Sequence, residues 1–202
     1  MHFNHNDHYH GFLLRQAPTR TKHALDVGCG TGTFARLLAT QVPEVDALDR
    51  SEAMITAARE NAPPNVQFTR TDLNEHELPH EHYDFVSCIA SLHHMPFAPT
   101  VTRLRDTLRP GGVLAILGLH KPTPLDYARA LAVVPANFAM RLVHLPRPPR
   151  GGWSDHKSAM PVHDPDMTFT QLRAAAHEHL PEAVVRRHFF FRHSIVYRRP
   201  SD

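Results

Sequence analysis

An α/β fold around a mostly parallel sheet is what three observations predict for this chain of 202 residues. From residue 24 to about residue 119, short apolar strand-like runs alternate with amphipathic helical ones, the pattern of successive strand–helix units. The first run, Ala24-Leu-Asp-Val-Gly-Cys-Gly-Thr-Gly-Thr-Phe34, breaks into the alternate glycines Gly28, Gly30 and Gly32 just before a helix. The run Val113-Leu-Ala-Ile-Leu117, set off by the Pro110-Gly111-Gly112 turn, is apolar without alternation, as a strand covered on both faces must be.

The elements follow in order. Strands are expected at 24–28, 44–49, 65–70, 83–89 and 112–119, with helices at Thr33–Gln41, Ser51–Asn61 and Phe97–Leu108. Ser51 is a suitable N-cap for the second of these helices, and Pro63-Pro64 bars its continuation. Ahead of the first strand, Phe3 to Arg15 reads as a helix with an aromatic and histidine face. Residues 120–166 hold many of the prolines around an apolar helical stretch, Leu125–Leu145, and read as an insertion covering the sheet's working edge. Thr168 then caps a helix to about Leu180. Ala183–Phe191 and His193–Arg198 follow as strands joined too tightly for a parallel crossover, hence as an antiparallel hairpin.

Composition bounds the function. With 42% hydrophobic and 21% charged residues, the chain fits one globular domain, residues 1–202, carrying an N-terminal helical lid at 1–22 and the insertion. The 22 Lys+Arg nearly balance the 20 Asp+Glu, so no nucleic-acid partner is implied; basic residues of the C-terminal hairpin, Arg186, Arg187, His188, Arg192, His193, Arg198 and Arg199, read as a solvated strip. No run of about 18 apolar residues exists and the N-terminus lacks the order of a secretory signal, so a soluble, cytoplasmic protein without a membrane partner is expected. Cys29 and Cys88 read as buried thiols. Eighteen histidines, with His2, His5, His8 and His10 crowding the start, match no closed zinc pattern, and no metal site is expected.

In an open parallel sheet, ligands lie outside the carboxyl ends of the strands where chain order reverses. The glycine turn lies there, and Asp49, 21 positions after Gly28, ends the second strand where ribose hydroxyls would be met. A dinucleotide fingerprint would need Gly or Ala at position 33, where Thr33 stands. The segment Asp26-x-Gly28-x-Gly30-x-Gly32 resembles instead motif I of the class I S-adenosylmethionine-dependent methyltransferases. Asp49-Arg50-Ser-Glu-Ala-Met54 is similar to that family's ribose-binding acidic residue and the turn beneath the adenine. Asp72-Leu73 is similar to its contact with the adenine amino group, and Tyr83 to Met95 to its fourth strand and following loop. Leu108-Arg-Pro-Gly-Gly112 is similar to its lead into the fifth strand. The resemblance covers about residues 22–119. It implies a Rossmann-like three-layer sandwich with a seven-stranded, mostly parallel sheet and an antiparallel C-terminal strand. It also implies S-adenosylmethionine as cofactor, contacted by Asp26, Gly28, Gly30, Gly32, Asp49, Arg50, Met54, Asp72, Leu73 and Ala90. The N-terminal helix closes over the cofactor in similar enzymes, so Tyr9, His10 and Arg15 are candidates for the methionine end, with Tyr9 and Arg15 assigned to it.

Methyl transfer from a sulfonium needs mainly near-attack positioning, with a base where the acceptor must lose a proton. His93 and His94, past the fourth strand, are the candidate bases, with His120 behind them. No Asp/Asn-Pro-Pro-Tyr follows the fourth strand, and no acidic cluster for the divalent metal of catechol-type enzymes is apparent. Tyr127, Phe138, Met140, Leu142 and Trp153 of the insertion suit an apolar acceptor pocket. The expected function is methyl transfer to a small organic acceptor, through O, N or C, resembling the ubiquinone/menaquinone and natural-product types, by a monomer or homodimer. RNA or protein methylation, and a noncatalytic cofactor-binding scaffold, are the alternatives.

Overall fold

The computed structural model describes residues 7–128, 165–188 and 191–201. Its sheet contains β1 (His23–Val27), β2 (Glu44–Asp49), β3 (Val66–Arg70), β4 (Tyr83–Ile89), β5 (Leu108–Leu119), β6 (Val184–Arg187) and β7 (Arg192–Arg198), in the spatial order β3-β2-β1-β4-β5-β7-β6. β1 to β5 are parallel, and β7 is antiparallel to both β5 and β6. Chain order therefore reverses between β1 and β4, which opens a crevice at their carboxyl ends.

Successive strand residues face opposite sides, and each side has its own helices. On one face α1 (Asp7–Leu14), α2 (Thr33–Leu38) and α3 (Glu52–Arg59) bring Leu13, Phe34, Leu38 and Ile55 against Ala24, Ala47, Phe85 and Ala115. On the other, α4 (Phe97–Asp106) and the helix α5 (Phe169–His179) bring Leu104, Leu172 and Ala176 against Leu25, Val86, Leu114 and Ile116. This is the expected three-layer sandwich, and Val113 to Leu117 is buried throughout, as its unbroken apolarity required.

The caps act as read. Ser51 Oγ accepts from the Met54 amide at 3.4 Å, and Thr168 forms a reciprocal capping box with Gln171. The helices end sooner than expected: α2 stops at Leu38 because the Gln41 amide bonds Leu38 O at 2.9 Å, a three-residue step that tightens the last turn. β5 starts earlier than expected, at Leu108. The Pro110-Gly111-Gly112 segment is a bulge inside it, with Gly111 at φ 77° and the register to β4 shifting between Tyr83 and Phe85. The C-terminal connection is longer than a single arginine and takes residues 188–191, with Phe191 at φ 58°.

Both ends of the insertion are pinned at one point of the carboxyl edge, where the Lys121 amide donates to Met167 O at 2.7 Å. A helix begins at residue 124, and the buried Asp126 holds its start. That carboxylate accepts from the Thr123 amide and hydroxyl at 2.9 and 2.7 Å and pairs with Arg187 of β6. The rest of the expected helical stretch, with Phe138, Met140 and Leu142, lies outside the described residues, as do Trp153 of the insertion, His2, His5 and the expected first turn of the N-terminal helix. Among the described residues no helix is long and apolar enough to cross a membrane, and no three or more His, Cys, Asp or Glu are grouped to hold a metal. The basic strip is interrupted: Arg187 is spent on Asp126, Arg199 on Glu81, and His193 is buried.

Candidate active site

The crevice holds a cavity of about 600 Å³, within the range that encloses a drug-sized ligand. Residues just past β1, β2, β3 and β4 wall it, so motif stations up to 64 residues apart in the chain share one space. Asp26, Gly28, Gly30, Asp49, Arg50, Met54, Asp72, Leu73, Ala90 and His94 all line it.

The glycines divide their work. An added Cβ on Gly28 would stand 2.3 Å from Ser91 Cβ, so this turn can pass beneath the β4 loop only without a side chain. A Cβ on Gly30 would meet nothing within 4 Å, because its open side gives onto the cavity; its φ of 54° still calls for glycine. Gly32, expected as a ligand contact, is not on the cavity wall. It starts α2 at φ 78°, where a Cβ would collide with the Phe68 ring at 2.5 Å, so its role is close helix-to-strand packing.

Asp49 ties the loops together. Its Oδ2 accepts from the Gly30 amide at 2.8 Å and its Oδ1 from the Ser51 amide at 2.9 Å, which fixes the carboxylate while leaving lone pairs toward the cavity. Asp72 Oδ1 accepts from the backbone and side-chain amides of Asn74 at 2.8 and 3.0 Å. Asp26 lies on the cavity floor, 2% exposed, and accepts from Ser87 Oγ at 2.7 Å. Burial first, then the Asp49 charge, outweighs that hydrogen bond and lifts its pKa to about 7. Burial, with both carboxylates, also raises the Cys29 thiol well above its ordinary value, so Cys29 is no thiolate nucleophile. Ala90 holds φ 52°, a left-handed conformation costly for a side-chain residue, and it keeps the wall at the end of β4.

The paired histidines share a single 3-10 turn, Leu92–His94. Their rings are tilted at 40° with centroids 4.1 Å apart, yet only His94 lines the large cavity. His93 lines a second chamber of about 70 Å³, together with Gly118, His193 and Leu172. His120 is not on the cavity either: its ring is 1% exposed, with Nε2 3.9 Å from Asp126 Oδ1, too far for a hydrogen bond. Tyr9 and Arg15 are likewise absent from the cavity wall. Tyr9 packs on His188 with ring centroids 5.0 Å apart, and Arg15 is exposed, whereas His10 lines the cavity and packs on Phe34. Consecutive residues of a helix lie about 100° apart, so Tyr9 and His10 serve different neighbours.

Thr31, Thr33, Thr71, Asn74 and Ser91, together with the apolar Met95, also stand on the wall, and their only signal in the sequence is nearness to a strand end. His193 reads in the sequence only as a basic residue. That side chain is 2% exposed and neither ring nitrogen has a hydrogen-bond partner, an arrangement that costs about 1–3 kcal/mol.

Comparison with known proteins agrees with this geometry. The methyltransferase domain family matches residues 24–112. An uncharacterized methyltransferase of Mycobacterium tuberculosis is 32% identical over 203 residues, covering 98% of each chain. A trans-aconitate 2-methyltransferase of Deinococcus radiodurans is 37% identical over 124 residues, covering 54% of this chain and 47% of that protein. Among solved structures, an S-adenosylmethionine dependent methyltransferase from Mesorhizobium loti shares the fold with a TM-score of 0.64 at 19% identity, covering 94% of this chain and 96% of that one. A glycine cradle open at Gly30, acidic residues at three strand ends and relatives that match along the whole chain lead to one assignment: this chain belongs to the class I S-adenosylmethionine-dependent methyltransferases.

Proposed function

We propose that the chain is one domain, residues 1–202, that methylates a small organic acceptor at O, N or C, resembling methyltransferases of the ubiquinone/menaquinone and natural-product types. The observation that carries this reading is the meeting of Asp26, Gly28, Gly30, Asp49, Asp72 and Ala90 around one cavity with a histidine, His94, on its wall. The relative named for trans-aconitate supports an acceptor of small-molecule size. When bound, S-adenosylmethionine supplies a methyl group on a sulfonium sulfur, already activated for in-line displacement. Asp49 accepts hydrogen bonds from the ribose hydroxyls while its other contacts hold the Gly30 turn in place. Asp72, Leu73, Met54 and Arg50, which line one cavity, would hold the adenine end. The open side of Gly30 would let the backbone approach the methionine end, where Asp26 would meet the ammonium group. His94 takes the proton that the acceptor loses, and Met95 and Ala90 keep water from the reacting side.

The test is calorimetric binding of S-adenosylhomocysteine followed by mass spectrometry of a small-acceptor panel with S-adenosylmethionine. Cofactor binding and one methylated product are expected. Binding with no product across phenols, carboxylic acids and amines would favour a scaffold instead.

Asp26 makes cofactor binding depend on pH. Its carboxyl titrates near 7 in the free protein, and a ligand ammonium beside it favours the ionised form. Below that pH the proton must leave before binding, so S-adenosylhomocysteine affinity is expected to be flat above about pH 7.5. It should fall by up to roughly tenfold per unit below about pH 6.5. For folding of the free protein the sign is opposite: the group's folded pKa exceeds its unfolded value of about 3.9, so its contribution is fully favourable below that value and is lost as pH rises to about 7. Calorimetry from pH 5.5 to 8.5 checks the first statement, and Asp26→Asn should flatten the profile.

A further inference from the structure

The second chamber has no place in the contacts derived so far. It lies at the carboxyl edge of β5 and the amino end of β7, behind the turn Leu92–His94, and Met95 walls both it and the large cavity. Leu92, Met95, Pro96, Phe97, Met167 and Leu172 make most of its lining apolar. Into this lining β7 sends His193, 2% exposed, with both ring nitrogens unmatched. The fold makes room for that ring at some expense: a Cβ on Gly118 would stand 2.6 Å from His193 Cε1, so β5 carries glycine where its neighbours are Leu117 and Leu119. An aliphatic residue at position 193 would fill such surroundings without an unmatched polar group, so packing alone does not account for histidine.

The environment also decides what the ring can recognise. Burial first, then the neighbouring His120, His188 and His93, push its pKa down to about 3, so it is a neutral imidazole, one donor and one acceptor. The lining carries no arginine or lysine to meet an anionic group, and its carboxylate, Asp166, is exposed. At roughly 30 Å³ per water molecule, a chamber of about 70 Å³ admits a polar end group.

We propose that this chamber is an acceptor subsite in which His193 binds an uncharged hydroxyl of the acceptor, with Gly118 leaving room for the ring and Met95 as the wall shared with the cofactor cavity. His193 is thus a specificity-determining residue that anchors the acceptor at a group other than the reacting atom. The inference rests on the proposed methyl transfer, and deepens it by naming the chemistry that the acceptor carries.

The experiment uses the full chain, saturated with S-adenosylhomocysteine and labelled with 15N-histidine, titrated with methanol, formate or methylammonium as matched one-carbon probes. Methanol is expected to shift the His193 ring nitrogens saturably, with the other two probes at least tenfold weaker. His193→Leu is expected to abolish the response, to leave S-adenosylhomocysteine affinity within twofold, and to raise Tm by relieving an unmatched polar group. Gly118→Ala is expected to weaken the methanol response at least tenfold through displacement of the ring. Formate or methylammonium binding more tightly than methanol, no saturable shift at His193, or a His193→Leu variant that melts well below wild type would each overturn the proposal. If that variant does not fold, the structural explanation of His193 wins. Failure of S-adenosylhomocysteine to bind the wild type would refute the methyl-transfer reading instead, and the methanol titration of the free protein would still read the subsite.

Discussion

Asp49→Ala is expected to weaken S-adenosylhomocysteine binding by about 10²- to 10⁴-fold, with the chain still folded. The carboxylate is fixed by the Gly30 and Ser51 amides at 2.8 and 2.9 Å, and its remaining lone pairs face the cavity. Two ribose hydroxyls donating to an ionised acceptor are worth about 1.5–3 kcal/mol each, and each 1.4 kcal/mol is tenfold in affinity. Alanine removes both and also frees the Gly30 turn, whose left-handed backbone is then held less firmly. Asp49→Asn keeps one acceptor oxygen without the charge and should fall between the two. Calorimetry reads the affinity and a melting curve separates it from unfolding; an Asp49→Ala protein that binds within twofold of wild type would refute the assignment.

His94→Ala should leave that affinity nearly unchanged and lower kcat by about 10²- to 10⁴-fold, the usual contribution of a positioned base. The two histidines sit on one 3-10 turn but face different spaces, so the pair offers its own control. His93→Ala opens the smaller chamber and is expected to raise KM for the acceptor more than it lowers kcat. Steady-state kinetics on the product found in the acceptor panel distinguish the two. Full activity in His94→Ala would remove the base, and catalysis would then rest on positioning alone.

Much of the scaffold was legible without coordinates because its signals are local. Strand β5 announced itself through an apolar run without alternation, α3 and α5 through Ser51 and Thr168, and the cradle through Gly28 and Gly30. Where a side chain ends up depends on distant partners. Gly32 belongs to the same motif as Gly30, yet whether it meets ligand or Phe68 depends on a strand 36 residues further on. Tyr9 and His10 differ by one step of a helix, and the choice between them was made by His188 and Phe34, elsewhere in the chain. His193 looked like one more basic residue of a surface strip until β7 was placed beside β5, opposite Gly118.

The amino-acid sequence by itself determined the order of strands and helices, the glycine cradle and the acidic residues that make this a methyl-donor fold. Those features depend on backbone conformation and on residue type at the ends of elements, both encoded within a few neighbouring positions. Only the tertiary structure decided which histidine faces the cofactor cavity, and that a second, neutral histidine faces a chamber beside it. Side-chain direction at a strand end is set by what packs against it, and here those partners come from β5, β7 and the β4 loop, about 25 to 100 residues apart along the chain.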